Sequence, residues 1–248
     1  MANDNLLEVD ELGLYFGDPY KINDYITITL PKIGELVKYG EQQYYNILNT
    51  LTSIPSDLKS HLWDNFGIDW TQITDFQLFM MLAPTLPQDK TSILFGDFNF
   101  QELQIRENLK NDTVNLVNPK TGAVIDELAY GKIQAYLCSA HNLTKKVEKA
   151  ANEFTKKFMI DEDRQKIQYQ SKQPHKSMLR PLISAVKCRQ GYTLDYIKNM
   201  GLYEFFDDLS RLSVIVNTDA LLKGVYSGMV DTKKIPKKDF DWCREITK

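Results

Sequence analysis

Two short runs invite a nucleophile-and-base reading. Ser56-Asp57-Leu58-Lys59 has the Ser-x-x-Lys spacing, and Lys120-Thr121-Gly122 has the Lys-Thr-Gly order. In penicillin-recognising enzymes the first supplies a hydroxyl nucleophile with its lysine, and the second an oxyanion-side strand. Here the middle Ser-x-Asn or Tyr-x-Asn element is missing, and the intervening chain leaves no room for that enzyme's helical domain. The two runs read instead as a helix start and a hairpin turn. Cys138 and His141 stand three apart on a predicted helix, but two ligands are half a zinc site. His61, His175, Cys188 and Cys243 add no matching spacing, so no metal site is expected. A core cysteine and a surface histidine are the simpler reading. Metal-dependent nucleases need clustered carboxylates with a lysine, and Glu-x-Lys occurs nowhere. Asp207-Asp208 and Asp161-Glu162-Asp163 read as solvated helix surface. Neither G-x-G-x-x-G nor G-K-[ST] is present, which removes the usual phosphate cradles. The expectation is a protein that is not an enzyme, with no catalytic residue and no cofactor.

Composition narrows the classes further. At 248 residues, 43% hydrophobic and 25% charged, the chain can bury a substantial core. A net charge of -3 and a pI near 5.7 argue against a protein that coats nucleic acid. Three well-separated cysteines do not make a disulfide framework and suit a reducing cytosol. The acidic start has no apolar h-region. The longest apolar cluster, Phe76 to Ala83, falls far short of the roughly 20 residues that span a bilayer. The chain therefore reads as soluble and intracellular, without membrane attachment.

The elements that must position any site come next. Met1 to Asp10 reads as a loose tail. Leu12–Phe16 and Tyr20–Ile22 flank the turn Gly17-Asp18-Pro19, and Tyr25–Leu30 alternates like a strand, which predicts an N-terminal β-hairpin or meander. A helix is expected from Ile33 to about Thr52, with Gly40 as a weak point, then short helices at Leu58–Trp63 and Phe76–Ala83. Ile93–Phe95, Leu103–Ile105 and Val114–Val117 look like strands, with turns at Asn111-Asp112 and Asn118–Gly122 and with Val124-Ile125 pairing back. Helices resume at Leu128–Leu143, in a long charged run Lys145–Gln170, and after a linker at Ser171–His175. The fold class is α+β, mainly helical. Its regions are 1–90 (hairpin plus helices), 91–126 (small β element) and 127–248 (helical).

The best-patterned stretch is Tyr192 to Asp231. Leu202, Phe205, Phe206, Leu209, Leu212 and Val216 recur at spacings of three and four. Thr193 is the expected N-cap, Gly201 a corner, and Leu202 to Leu222 the expected core of the helical body. The stretch reads as a helical hairpin or corner. Val225, Tyr226 and Met229 are a surplus that faces a partner or a second copy. The tail beyond Thr232, with Phe240 and Trp242, is expected to dock like a clip. Tyr15, Phe16, Tyr20, Tyr25 and Tyr44 gather near the N-terminus, as core or as a protein-binding face, since tyrosine is enriched at interfaces.

Five pieces give the chain a family likeness: LYFGDPYKI (Leu14–Ile22), ITITLPKIGELVKYGEQQYY (Ile26–Tyr45), IPSDLKSHLWDNFGIDWTQITDFQLFMML (Ile54–Leu82), VEKAANEFTKKFMIDEDR (Val147–Arg164) and NTDALLKGVYSGMVDTKKI (Asn217–Ile235). In them the chain resembles proteins encoded in the tail-gene region of long-tailed phages and prophages of Gram-positive bacteria. The resemblance implies a tail assembly chaperone in the host bacterial cytoplasm. Its partners would be the tape measure protein and tail-tube subunits, and it could form a homo-oligomer. The alternatives are a structural virion protein, such as a tail-completion or baseplate component, and a nucleic-acid-binding regulator.

Overall fold

Asp10 decides the first element. A computed structural model describes residues 9–108, 113–174 and 176–246; the expected tail up to Glu8, the Asn111-Asp112 turn and His175 lie outside them. Leu12–Phe16, expected as a strand, lies in helix α1 (Glu11–Phe16). The Asp10 carboxylate accepts from the Leu12 N–H at 3.0 Å, which satisfies an amide that a helix start leaves free. The hairpin is smaller than expected. It comprises β1 (Tyr20–Lys21) antiparallel to β2 (Thr27–Ile28), with Tyr20 opposite Ile28. Asn23 closes it by accepting from the amides of Tyr25 and Ile26.

The expected helix from Ile33 to Thr52 is two helices, α2 (Ile33–Tyr39) and α3 (Glu41–Thr52). They meet at Gly40, whose φ of 111° suits glycine alone. α4 (Lys59–Phe66) and α5 (Asp75–Leu82) follow. Thr74 caps α5 reciprocally with Gln77, each side chain accepting from the other's backbone N–H. Ile93–Phe95 is not a strand but the end of helix α6 (Gln88–Phe95), whose buried residues Thr91, Leu94 and Phe95 fall at helical spacing. The second sheet forms as expected from β3 (Gln104–Asn108), β4 (Thr113–Val117) and β5 (Val124–Ile125), with β4 in the middle.

α7 (Glu127–Ala140) is capped by Asp126, which accepts from the Ala129 N–H at 2.8 Å. The run Lys145–Gln170 is only partly helical. Helix α8 (Glu153–Ser171) starts where Asn152 accepts from the Thr155 N–H, and residues 143–150 before it form an irregular strap. α9 (Leu179–Gln190), α10 (Leu194–Asn199) and α11 (Leu202–Tyr226) complete a mainly helical α+β fold. Thr193 caps α10 as expected, accepting from the Tyr196 N–H. The corner at Gly201 is present, but α11 beyond it is one continuous 25-residue helix, not a hairpin.

One apolar cluster runs from Leu14 to Phe205 and draws on α1, the first hairpin, α2, α3, α5, α6, α7, α9, α10 and the start of α11. Tyr136 lies stacked on Tyr20 within it, ring centres 4.5 Å apart. A smaller cluster of Leu62, Trp70, Leu78 and Ile160 joins α8 to α4. The expectation that Leu202 to Leu222 is core holds only for the first turns. Of α11, just Leu202, Tyr203, Phe205 and Thr218 are buried. The reason is length: a helix of this size extends roughly 37 Å, well past the body it starts on. Its outer half meets the C-terminal tail. Arg211 donates to the carbonyls of Trp242 and Arg244, and Arg244 donates to Thr218 Oγ1. The clip is thus held by its backbone carbonyls and by the Arg244 side chain, while Trp242 stays 56% exposed.

The last helices are tied closely to the first. The Ile33 N–H donates to the Met200 carbonyl at 3.0 Å, and Lys32 forms an antiparallel bridge with Gly201. α10 comes so near α2 that a Cβ on Gly34 would lie 2.9 Å from the Lys198 carbonyl oxygen.

Candidate protein-binding face

Tyr15 and Phe16 are neighbours on α1, so the helix sends their side chains about 100° apart. Tyr15 turns toward α11, where its hydroxyl donates to Asp208 Oδ1 at 3.4 Å. The Tyr192 ring lies 4.7 Å from that of Tyr196 on α10, and Tyr192 stands close enough to Asp208 for that carboxylate to raise its hydroxyl after burial. Burial, then the carboxylates of Asp208, Glu204 and Asp207, push the Tyr15 hydroxyl up to about 12. Burial and then Glu204 raise the Asp208 carboxyl above its ordinary range. Phe16 turns outward and is 74% exposed, with Leu12 beside it one turn earlier. The result is a face of aromatic and aliphatic side chains around half-buried carboxylates. Such a face offers apolar contact and acceptor oxygens together.

The other residues singled out in the sequence scatter. Tyr20 is half-buried on Tyr136, and Tyr25 is exposed at the hairpin. Tyr44 is a correction: α3 turns it fully into the core, so its ring is not available to a partner. His141, expected at the surface, is mostly enclosed beside it. His141 Nδ1 must donate to the Leu137 carbonyl at 2.7 Å, which leaves Nε2 to accept from the Tyr44 hydroxyl at 2.7 Å. Burial pushes the His141 imidazole down to about 4 and the Tyr44 hydroxyl well above its ordinary value. Cys138 is engaged by Gln134, and the described residues contain no cluster of His, Cys, Asp and Glu able to hold a metal. Val225 is half-buried, while Tyr226 and Met229 stand 84% and 87% exposed at the far end of α11.

The apparent catalytic runs serve local structure. Lys59 is buried and donates to the Ser56 carbonyl at 2.6 Å and to Glu148 Oε2 at 2.7 Å, with its ammonium 5.7 Å from the centre of the Trp70 ring. Ser56 Oγ accepts from the Glu148 N–H. Together they pin the strap, and Ser56 and Glu148 help wall a cleft of about 580 Å³ also lined by Ile54, Trp70, Asp75 and Val147. Lys120 pairs with Glu102 at 2.7 Å.

Sequence reasoning missed the outward face of α8. Phe154, 81% exposed, Phe158 and Tyr169 share it. The i, i+4 spacing of Phe154 and Phe158 was the available signal, hidden among charges.

Residues 171–247 match a family described as the YomV second domain. This is a phage-associated domain family. No curated protein and no solved structure matches the chain. The matched segment covers less than half of the sequence and takes in α9, α10, α11 and the tail. It supplies Tyr192, Tyr196 and the three carboxylates of the face, while α1 lies outside it. No described helix is long and apolar enough to cross a membrane.

Proposed function

We propose that this chain is a non-enzymatic tail-morphogenesis protein of a phage or prophage, acting in the host cytoplasm as a tail assembly chaperone. It binds the tape measure protein, keeps it soluble and helps recruit tail-tube subunits. The observation that carries this reading is the set of aromatic side chains left bare on separate helices, Phe16 on α1, Phe154 and Phe158 on α8 and Tyr226 on α11. Large aromatics are favoured in the desolvated centres of protein interfaces, where they offer much contact area for little lost side-chain freedom. The family match at 171–247 supports a phage setting, and the likeness spread along the chain supports the tail-gene region.

Co-expression with the tape measure protein of the same tail-gene cluster tests it. The expected result is co-purification and a larger soluble fraction of that protein. If the tape measure protein stays insoluble and none co-purifies, the chaperone reading fails. Proteomics of purified virions separates the alternative. A chaperone is absent from the particle, whereas a stoichiometric amount there makes this chain a tail-completion or baseplate component.

A further inference from the structure

We infer that the face built by α1, α10 and α11 docks a basic amphipathic segment of a partner protein. The inference rests on reading the chain as a protein-binding factor and adds the chemistry of what it binds. Leu12, Phe16 and Tyr196 provide the apolar contact, being 69%, 74% and 51% exposed. They belong to one surface. The Phe16 ring lies 5.9 Å from Tyr15, Tyr15 bonds Asp208, Asp208 acts electrostatically on nearby Tyr192, and the Tyr192 ring lies 4.7 Å from Tyr196.

The carboxylates on this surface are met by hydrogen bonds and not by cations: Glu204 accepts from the Gly201 N–H at 3.1 Å and Asp208 from the Tyr15 hydroxyl. Glu204, Asp207 and Asp208 have no ion pair with a lysine or arginine among the described residues. The cations on α10 and the first half of α11 are occupied, and Lys223 lies in the last turn of α11, far from these carboxylates. Arg211 is turned to the carbonyls of Trp242 and Arg244, and Lys198 stands 3.4 Å from Asp195. Burial first, and then the neighbouring Glu204 carboxylate, raise the Asp208 carboxyl. A lysine or arginine arriving from outside relieves it, while apolar residues one turn away on the same segment cover Phe16 and Leu12. The bare aromatics of α8 are a contrasting case. They stand among charges that are mostly matched, Lys156 with Asp69 and Glu153, Arg164 with Asp64, and Lys166 with Glu162, with Lys157 outside these pairs. That face shows no preference for the sign of a partner.

The test uses the full chain and two labelled synthetic helical peptides of five turns (roughly 18 residues). One is built of leucine and lysine, the other of leucine and glutamate. Fluorescence anisotropy at low ionic strength should show binding of the lysine peptide only, weakening as salt is added. Phe16→Ser combined with Asp207→Lys should weaken it by about tenfold or more, as expected of an anchor residue. Phe158→Ser combined with Glu162→Lys makes the same chemical change on α8 and should leave the affinity unaltered. Circular dichroism checks that both variants fold, and Leu12→Ser repeats the test on the same face if the first does not. Equal loss from both double variants, no loss from either, or equal binding of the glutamate peptide overturns the inference. So does a dimer of the free protein, seen by sedimentation, that Phe16→Ser dissociates, because the occupant is then a second copy. If the tape measure protein fails to co-purify while the peptide result holds, the chaperone reading falls and the face stands.

Discussion

The enclosed Tyr44–His141 pair makes stability depend on pH in a way that can be worked out in advance. The imidazole titrates near 4 in the fold against an ordinary 6.5, because burial disfavours its charged form. Between those values the unfolded chain takes up a proton that the folded chain refuses. The contribution is therefore complete above about pH 6.5 and is lost as pH falls toward about 4, with a total near 3 kcal/mol. The steepest part is just over ~1 kcal/mol per pH unit. Tyr44 stays protonated throughout, since burial raises its hydroxyl well above 10. Other carboxylates also titrate on the acid side, so the measurement must be a difference. Urea unfolding of the wild type and of His141→Gln near pH 7 and near pH 5 provides it. The wild type should lose about 2 kcal/mol more than the variant over that interval. Parallel loss in the two proteins would show that His141 is not held neutral by enclosure, and the reasoning would be refuted.

Two further substitutions test the packing. Gly34→Ala should destabilise by about 1–3 kcal/mol in urea unfolding despite the better helix propensity of alanine, because the new methyl meets the Lys198 carbonyl oxygen at 2.9 Å. A stabilised variant would mean that α2 and α10 can separate freely. Phe205→Ala, at a wholly buried position on α11, should cost about 3–5 kcal/mol, while Val216→Ala on the same helix should change stability by less than about 0.5 kcal/mol. Equal effects would contradict the division of α11 into a buried start and a mostly half-exposed remainder.

What the sequence disclosed was local. The caps at Thr74, Asp126 and Thr193 bond to residues three positions on, so their meaning is contained in a few letters. Ile93–Phe95 misled because three apolar residues carry no period. The strap before α8 could not be seen, since Lys59 and Ser56 hold Glu148 from about 90 positions away in the chain. The candidate face was half legible. Tyr15 and Phe16 stood out as aromatics, but the carboxylate that receives Tyr15 lies 193 residues further on and had read as plain helix surface. Tyr44 misled for the opposite reason: an aromatic residue looks the same in a string whether its helix turns it inward or outward.

The close seam between α2 and α10 has a consequence for synthesis. Every buried apolar residue of the segment that matches the YomV second domain (Leu179, Val186, Ile197, Met200, Leu202, Tyr203 and Phe205) belongs to the cluster shared with the first helices. Among its described residues, that segment carries no separate buried cluster. A ribosome makes the chain from its N-terminus, so the surface that will receive Met200 and Phe205 emerges long before they do. Until then the flank of α2 around Ile33 and Leu36 lacks its cover. Completion of the fold is thus an act of the last third of the chain. A stop codon placed after α8 would release a body with an open apolar seam, prone to capture by its own copies.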